Sequence, residues 1–305
     1  MDSIKVEKLT KRFGSLVAVD SISFNVKEGE IFGLLGPNGA GKTTTLSMLA
    51  TLLEPSNGSA LVNGFNIVKE RDNVRRSIGM VFQDPTLDDE LTAYENMDFH
   101  GRLYQVPKEI RKKKIIELLK LVELDDRKNN LVKTFSGGMK RRLEIARGLL
   151  HEPKILFLDE PTLGLDPQTR NRLWEYIRKL NQEKKITIIL TTHYMDEAAV
   201  LCDRIIIVDK GKIIEEGKPA ELVKKHVGEE VLEVDYDEKL LPSLKEAFPD
   251  ADFEHLGERL QIFTDKPHGV FEGFLKDHPM QNVTIRTTNL EDVFLKLTGR
   301  GLREE

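Results

Sequence analysis

The stretch Gly36-Pro37-Asn38-Gly39-Ala40-Gly41-Lys42-Thr43-Thr44 constrains the fold of this chain more than any other. Gly36 and Gly41 bracket four residues, and a lysine and a hydroxyl follow, which is the P-loop pattern. The apolar run Ile31-Phe32-Gly33-Leu34-Leu35 before it suits a buried parallel strand, and Thr44 to Ala50 after it reads as a helix. Strand, glycine-rich turn and helix in that order are the context the motif requires. Gly39 and Gly41 let the backbone curl until successive N–H groups point inward and form an anion nest. The nest opens on a helix N-terminus, where unpaired N–H groups and the helix dipole both favour phosphate. In such a loop Lys42 reaches the β- and γ-phosphates, and the Thr43 hydroxyl is placed to ligate Mg²⁺. A turn that merely joins a strand to a helix has no need of Lys-Thr at this spacing. Nucleotide binding is the first expectation.

With 305 residues the chain is long enough for one large domain or two medium ones. Charged residues make up 32% and hydrophobic ones 39%, the balance of a globular chain with a charged surface. Its formal net charge of −5 gives no general attraction for nucleic acid, so no such partner is expected. Cys202, the one cysteine, has no internal disulfide partner, and its apolar flanks make it a small buried hydrophobe in a reducing cytoplasm. Met1 to Lys5 lacks a basic segment leading into an apolar core, so no signal peptide is expected. No apolar run approaches the roughly 20 residues that cross a bilayer. If the protein serves a membrane process, another chain supplies the spans.

Along the chain, residues 4–9 alternate like a half-buried strand, and strand-like runs follow at 16–19 and 22–26. After the P-loop helix, Pro55 to Ser59 is a turn cluster and Ala60 to Gly64 resumes a strand. A small antiparallel layer beside a parallel core is the expected picture. Arg75 to Gln83 contains a short apolar strand ending in glutamine. Thr92 to Glu123 turns helical, and its basic run Arg111-Lys112-Lys113-Lys114 reads as the wet face of an amphipathic helix. Phe135-Ser136-Gly137-Gly138-Met139 precedes a helix for which Ser136 or Gly137 is a suitable N-cap. Ile155-Leu156-Phe157-Leu158 is an apolar strand ending in Asp159-Glu160, and Leu163-Gly164-Leu165-Asp166-Pro167 turns into another helix. Ile186 to Leu190 is a strand that delivers Thr191-Thr192-His193, and residues 205–208 and 212–215 form a closing hairpin. From Val231 the order is strand, helix (241–248), strand (251–255), strand (259–263), helix (269–277), strand (283–287) and helix (290–297). That βαββαβ order suits a small ferredoxin-like layer. It carries no catalytic set, since His255, His268 and His278 are scattered near turns.

Taken together, the P-loop, Phe135-Ser-Gly-Gly-Met139, Ile155-Leu-Phe-Leu-Asp-Glu160, Leu163-Gly-Leu-Asp166 and His193 resemble ATP-binding-cassette (ABC) ATPases in order and context. The resemblance covers residue 4 to about 220. GGMKRRLEIARGLL, LFLDEPTLGLDP and the C-terminal NLEDVFLKLTGR resemble the daunorubicin-resistance branch of exporter ATPases. It implies an α/β P-loop NTPase with an antiparallel β subdomain and a helical insert over about 84–152. The cassette is expected over 1–227, followed by a small α+β accessory or regulatory domain over 228–305.

The resemblance also implies roles. Asp159 sits at the strand edge where α/β sheets bind ligands and would hold Mg²⁺ through water. Glu160 would be the general base towards the attacking water. Without the P-loop upstream, the pair would read as an acidic strand end before a proline turn. Gln83 resembles the glutamine that touches Mg²⁺ or water and the membrane partner, with a polar strand end as the plain alternative. His193 resembles the switch histidine at the γ-phosphate, where a lone histidine is otherwise structural. Phe13 stands where the family places an aromatic against adenine; a core phenylalanine is the rival reading, though Lys11-Arg12 and Gly14 around it indicate a loop. Ser136, Gly137 and Gly138 form a second phosphate-binding helix start, serving the nucleotide of a second cassette paired head-to-tail. Asp166 joins the same nucleotide-facing set. Met139 and Phe135 depart from the family's commonest Leu-Ser-Gly-Gly-Gln but leave the backbone donors in place.

The expectation is thus an ATP-hydrolysing subunit, using ATP and Mg²⁺, that powers an export permease made of separate transmembrane chains. It would be cytoplasmic, peripheral on the inner face of the membrane, and a homodimer or a heterodimer with a related ATPase. The alternative is a non-transport ABC ATPase of translation or DNA repair. Against it stand the single cassette and the absence of a strongly basic domain. A nucleotide-binding regulator without turnover is disfavoured by the joint presence of Glu160 and His193.

Overall fold

The computed structural model describes residues 1–239, 241–249, 251–264 and 283–299. Two compact units emerge, Met1–Glu216 and Gly217–Glu305.

In the first unit, alternation produces two long strands, β1 (Asp2–Phe13) and β2 (Leu16–Lys27). They pair antiparallel with several shifts of register, and the two runs expected at 16–19 and 22–26 are one strand, with Ser21 at φ 55° between them. With β4 (Asn57–Val62) and β5 (Phe65–Asn66) they form a sheet ordered β2-β1-β4-β5.

The second sheet holds β3 (Ile31–Leu35), β6 (Ile78–Val81), β7 (Ile155–Asp159), β8 (Thr187–Thr192), β9 (Arg204–Asp209) and β10 (Lys212–Gly217). Its order is β10-β9-β3-β8-β7-β6, with β3 parallel to both β8 and β9 and β7 parallel to both β6 and β8. Every residue of β3, β7 and β8 is buried, which is why these strands read as continuous rather than alternating runs. Apolar side chains from both sheets and from α1 (Lys42–Leu49) make one core that includes Val6, Phe24, Phe32, Leu46 and Phe157. Register matters most for the site: Leu35 stands beside Thr192, and Asp159 beside Thr191. Three strand ends therefore open onto one edge.

Between β6 and β7 lie α3 (Ala93–Leu103), α4 (Lys108–Leu121) and α5 (Gly137–Gly148); α2 (Arg71–Ser77) precedes β6. The helical stretch expected from Thr92 to Glu123 is two helices. Gln105 at φ 56° and Pro107 break it, and α3 opens with a Thr92–Glu95 capping box. Nor is the basic run of α4 wholly a wet face. Arg111 is buried, donating to Asp98 Oδ1 at 2.6 Å and to the Val106 carbonyl at 2.7 Å. Downstream, α6 (Pro167–Lys184) and α7 (Met195–Leu201) flank β8 in sequence.

The second unit begins with α8 (Pro219–His226), so the structural division precedes Val227. Its sheet comprises β11 (Glu230–Asp235), β12 (Asp252–Leu256), β13 (Arg259–Phe263) and β14 (Thr284–Thr287), ordered β12-β13-β11-β14 with all pairs antiparallel. This is the ferredoxin-like order. Helix α9 (Leu241–Ala247) supplies Leu244 to a core with Leu232, Val234, Leu260 and Ile262, and α10 (Leu290–Thr298) packs on α8. The helix expected over 269–277, with His268 and His278, lies outside the described residues. His255 stacks on Tyr236 with ring centroids 3.8 Å apart.

Candidate active site

The P-loop leaves β3 through Gly36, whose N–H donates to the Thr192 carbonyl at 3.2 Å. A Cβ at Gly36 would lie 2.1 Å from the Val208 carbonyl oxygen, so no larger residue fits between β3 and β9. Gly41 is the N-cap of α1 at φ 99°, and a Cβ there would meet the Ala18 carbonyl at 2.4 Å. The helix starts at Lys42, two residues earlier than Thr44, because this left-handed glycine turns the chain directly into it. Pro37, Asn38, Gly39 and Ala40 form the turn, and the Ala40 N–H closes it on the Pro37 carbonyl at 3.3 Å. Thr44 follows Thr43 in the first turn of α1.

Lys42 is 4% exposed and curls back over the loop, donating to the carbonyls of Gly36 at 2.8 Å and Pro37 at 2.9 Å. Its ammonium also stands 3.5 Å from Glu160 Oε1. Burial lowers the Lys42 pKa, and Glu160 offsets part of that effect.

Glu160 is 7% exposed and caught between Lys42 and His193, whose Nδ1 lies 3.1 Å from its Oε2. That second contact is in ion-pair range but lacks hydrogen-bond alignment. Burial by itself would push the Glu160 carboxyl up; His193 and Lys42 outweigh it and hold the group below its usual range. The carboxylate is thus kept ionised. Its backbone adopts φ 45°, a left-handed conformation that costs on the order of 1–3 kcal/mol for a non-glycine residue. Such strain persists only where neighbours over-determine it, and it gathers at functional sites.

Asp159, 2% exposed, accepts at Oδ1 from the Thr43 hydroxyl at 3.0 Å and from the Thr191 hydroxyl at 2.5 Å. Thr191 also takes the Glu160 N–H, on its hydroxyl at 3.0 Å and its carbonyl at 3.2 Å. Nothing in the sequence alone gives Thr191 a role. Its only signal is that it stands with Thr192 at the end of a strand whose middle, Ile188-Ile189-Leu190, is apolar.

The other expected residues are more dispersed. Gln83 lies two residues beyond β6 in an exposed bend, with no hydrogen bond to the P-loop or Asp159 among the described residues. Phe13 ends β1 opposite Leu16 and is 48% exposed under the Lys11 ammonium, 5.1 Å from its ring centroid. The core reading fails there, and the loop is confined to Gly14-Ser15, because pairing to β2 runs to the last residue of β1. Ser136 caps α5 by accepting the Met139 N–H at 3.3 Å. A Cβ at Gly137 would touch Leu165, and one at Gly138 would meet Thr169 Cγ2 at 2.3 Å, so this helix start packs against the Leu163–Asp166 turn and α6. Asp166 itself caps α6, accepting from Thr169 N–H at 3.0 Å and its hydroxyl at 2.6 Å.

Thr43 and Asp159 give hard oxygen donors 3.0 Å apart beside the anion nest. Among the described residues no group of three or more His, Cys, Asp or Glu side chains is placed to hold a metal. The donor set therefore fits a cation that completes its shell with phosphate oxygens and water, as Mg²⁺ does with nucleotides. No helix among the described residues is long and apolar enough to cross a membrane.

Comparison with known proteins agrees with this geometry. The family profile described as "ABC transporter" matches residues 19–163, and that of the C-terminal domain of nodulation factor export protein NodI matches 241–299. The chain is 41% identical over 308 residues to the Nod factor export ATP-binding protein I of Ralstonia nicotianae, covering 99% of this chain and 95% of that one. It is 38% identical to the linearmycin resistance ATP-binding protein LnrL of Bacillus subtilis, covering 99% and 100%. Among solved structures, CbiO1 of Clostridium perfringens superposes with a TM-score of 0.69 at 30% identity, over 81% of this chain and 96% of that one. The dimeric post-hydrolysis cassette MJ0796 bound to ADP and Pi does so at 0.63 and 32%, over 70% and 98%. The chain belongs to the ABC transporter family, as an ATP-binding, ATP-hydrolysing subunit of its exporter-type branch.

Proposed function

We propose that this chain hydrolyses ATP at a composite site formed by two copies, and so drives an export permease made of separate membrane-spanning chains from the cytoplasmic face. One observation carries the reading: the ionised Glu160 carboxylate sits between Lys42 and His193, one residue past an Asp159 bonded to Thr43. Residues 36–44 bind the triphosphate, with Lys42 exchanging its loop carbonyls for β- and γ-phosphate oxygens. Phe13, exposed at a hairpin end, offers a face for adenine. Thr43, Asp159 and Gln83 are the residues that would hold Mg²⁺, which when bound neutralises charge on the β- and γ-phosphates. Glu160 accepts the proton of the attacking water as the water oxygen bonds to the γ-phosphorus and the bond from that phosphorus to the β–γ bridging oxygen breaks, with ADP as the leaving group. His193, hydrogen-bonding the γ-phosphate, holds the two in register. Ser136, Gly137, Gly138 and Asp166 belong to the neighbouring copy's site, because their helix start packs on α6 and not on the chain's own P-loop. A two-fold homodimer gives two such sites.

Glu160→Gln preserves size and removes the base. Phosphate release from Mg-ATP by the full chain should fall by about 10²–10⁴-fold while ATP still binds. Near-normal turnover in that variant would overturn the assignment.

A further inference from the structure

Helix α5 begins at the Ser136 loop and, one turn on, carries two buried charges that no role above uses. Arg141 is 7% exposed and Glu144 2%. The Arg141 Nε donates to the Pro161 carbonyl at 2.8 Å, and its Nη2 donates to the carbonyls of Asp159 at 2.8 Å and Glu160 at 3.1 Å. Its Nη1 donates to the Phe82 carbonyl and, at 3.1 Å, to Glu144 Oε2. A guanidinium has five N–H donors in a planar fork, and this one spends them on four backbone carbonyls and one carboxylate. Glu144 Oε1 in turn accepts the Thr86 N–H at 2.8 Å and its hydroxyl at 3.3 Å. Arg147, one turn further along α5, donates to the Thr86 carbonyl at 2.7 Å and to its hydroxyl. The segment from Phe82 to Thr86, which contains Gln83, is thus fastened at both ends to α5. The same guanidinium grips the peptide groups on both sides of the strained Glu160 φ angle.

We propose that Arg141, braced by Glu144, is a positioning residue for hydrolysis: it holds Glu160 in its left-handed conformation and ties the Gln83 segment to the helix that starts at Ser136. The proposal rests on the ATPase reading above. One rigid fork thereby couples three parts of the reaction apparatus. A displacement of α5 at Ser136 moves the carbonyls of Asp159 and Glu160 and the Phe82–Thr86 segment together. Lysine cannot substitute, because a single nitrogen with three donors cannot span four carbonyls and a carboxylate.

The test is Arg141→Lys in the full chain, with steady-state phosphate release normalised to folded protein and ATP affinity measured by equilibrium titration. The P-loop is untouched, so ATP affinity and KM should stay within about twofold, while kcat falls by about tenfold to 10²-fold, the scale of an ångström-sized misplacement. Glu144→Gln keeps volume but loses the charge facing Arg141, and should lower kcat in the same direction by a smaller factor. A merely structural role would lower the melting temperature and leave kcat per folded molecule unchanged. Arg141→Lys with kcat within twofold of the parent overturns the proposal, as does a raised KM with unchanged kcat. Should Arg141→Lys fail to fold, an unaltered kcat in Glu144→Gln overturns it equally. Absence of turnover in the parent chain is a different result, and would remove the ATPase reading itself.

Discussion

Glu197 has no exposed surface, yet it is a carboxylic acid. Its Oε1 accepts from the Thr162 hydroxyl at 2.9 Å and from the Trp174 indole N–H at 3.0 Å, linking the turn after Glu160 to α6 and α7. Burial pushes its pKa up from 4.5, more than the surrounding hydrogen bonds pull it down. The unfolded chain therefore loses this proton first. Between the unfolded and the raised folded value the native state binds more protons, so stability falls as pH rises through that window. Gln at this position accepts the same two bonds and never ionises. Glu197→Gln should thus gain stability relative to the parent as pH rises from 4.5 through the raised folded pKa, followed by urea unfolding. Parallel curves for the two proteins would contradict a raised Glu197 pKa. From sequence, Glu160 and His193 stand out only through the P-loop upstream and the family resemblance, since an acidic strand end or a lone histidine is otherwise structural. Glu197 does not stand out because Asp196-Glu197 looks like any acidic first turn of a helix, nor does Thr191, because threonine is common in strands.

Strands and helices were largely legible, since burial on both faces or one writes itself into apolar spacing. What the spacing did not encode was where long elements break or begin. Gln105 and Pro107 part α3 from α4, and Gly41 starts α1 at Lys42. Buried charges were equally opaque: Arg111, Arg141 and Glu144 sit inside, each satisfied by partners distant in sequence or on a neighbouring turn. The packing of α5 on α6 offers a test at this scale. A Cβ on Gly138 would stand 2.3 Å from Thr169 Cγ2, a methyl on a stiff β-branched side chain. Gly138→Ala gains up to about 1 kcal/mol in helix propensity against an overpacking cost of about 1–3 kcal/mol. Thr169→Ser removes the methyl but keeps the hydroxyl bonded to Asp166. A double-mutant cycle by urea denaturation should therefore show favourable coupling of about 1 kcal/mol or more. Additive effects would place the two helices further apart than described.

For the whole chain, the parallel sheet decides the chemistry. Its order puts β3 beside β8 and β8 beside β7, so that the P-loop, His193 and Asp159-Glu160 emerge as neighbours from strand ends remote in sequence. The Ser136 helix start belongs to the same unit and packs on α6; in the proposed composite site its unpaired N–H groups would meet another molecule's phosphate. A ligand held across two copies stabilises their association by mass action, and ADP lacks the γ-phosphate that spans them. Sedimentation of Glu160→Gln, in which ATP binds and persists, tests this most directly. The account predicts a dimer in Mg-ATP, a monomer in Mg-ADP, and a monomer in both once Ser136→Arg adds a bulky cation at the helix start. An identical monomer–dimer balance in ATP and ADP, unaffected by Ser136→Arg, would contradict the composite site.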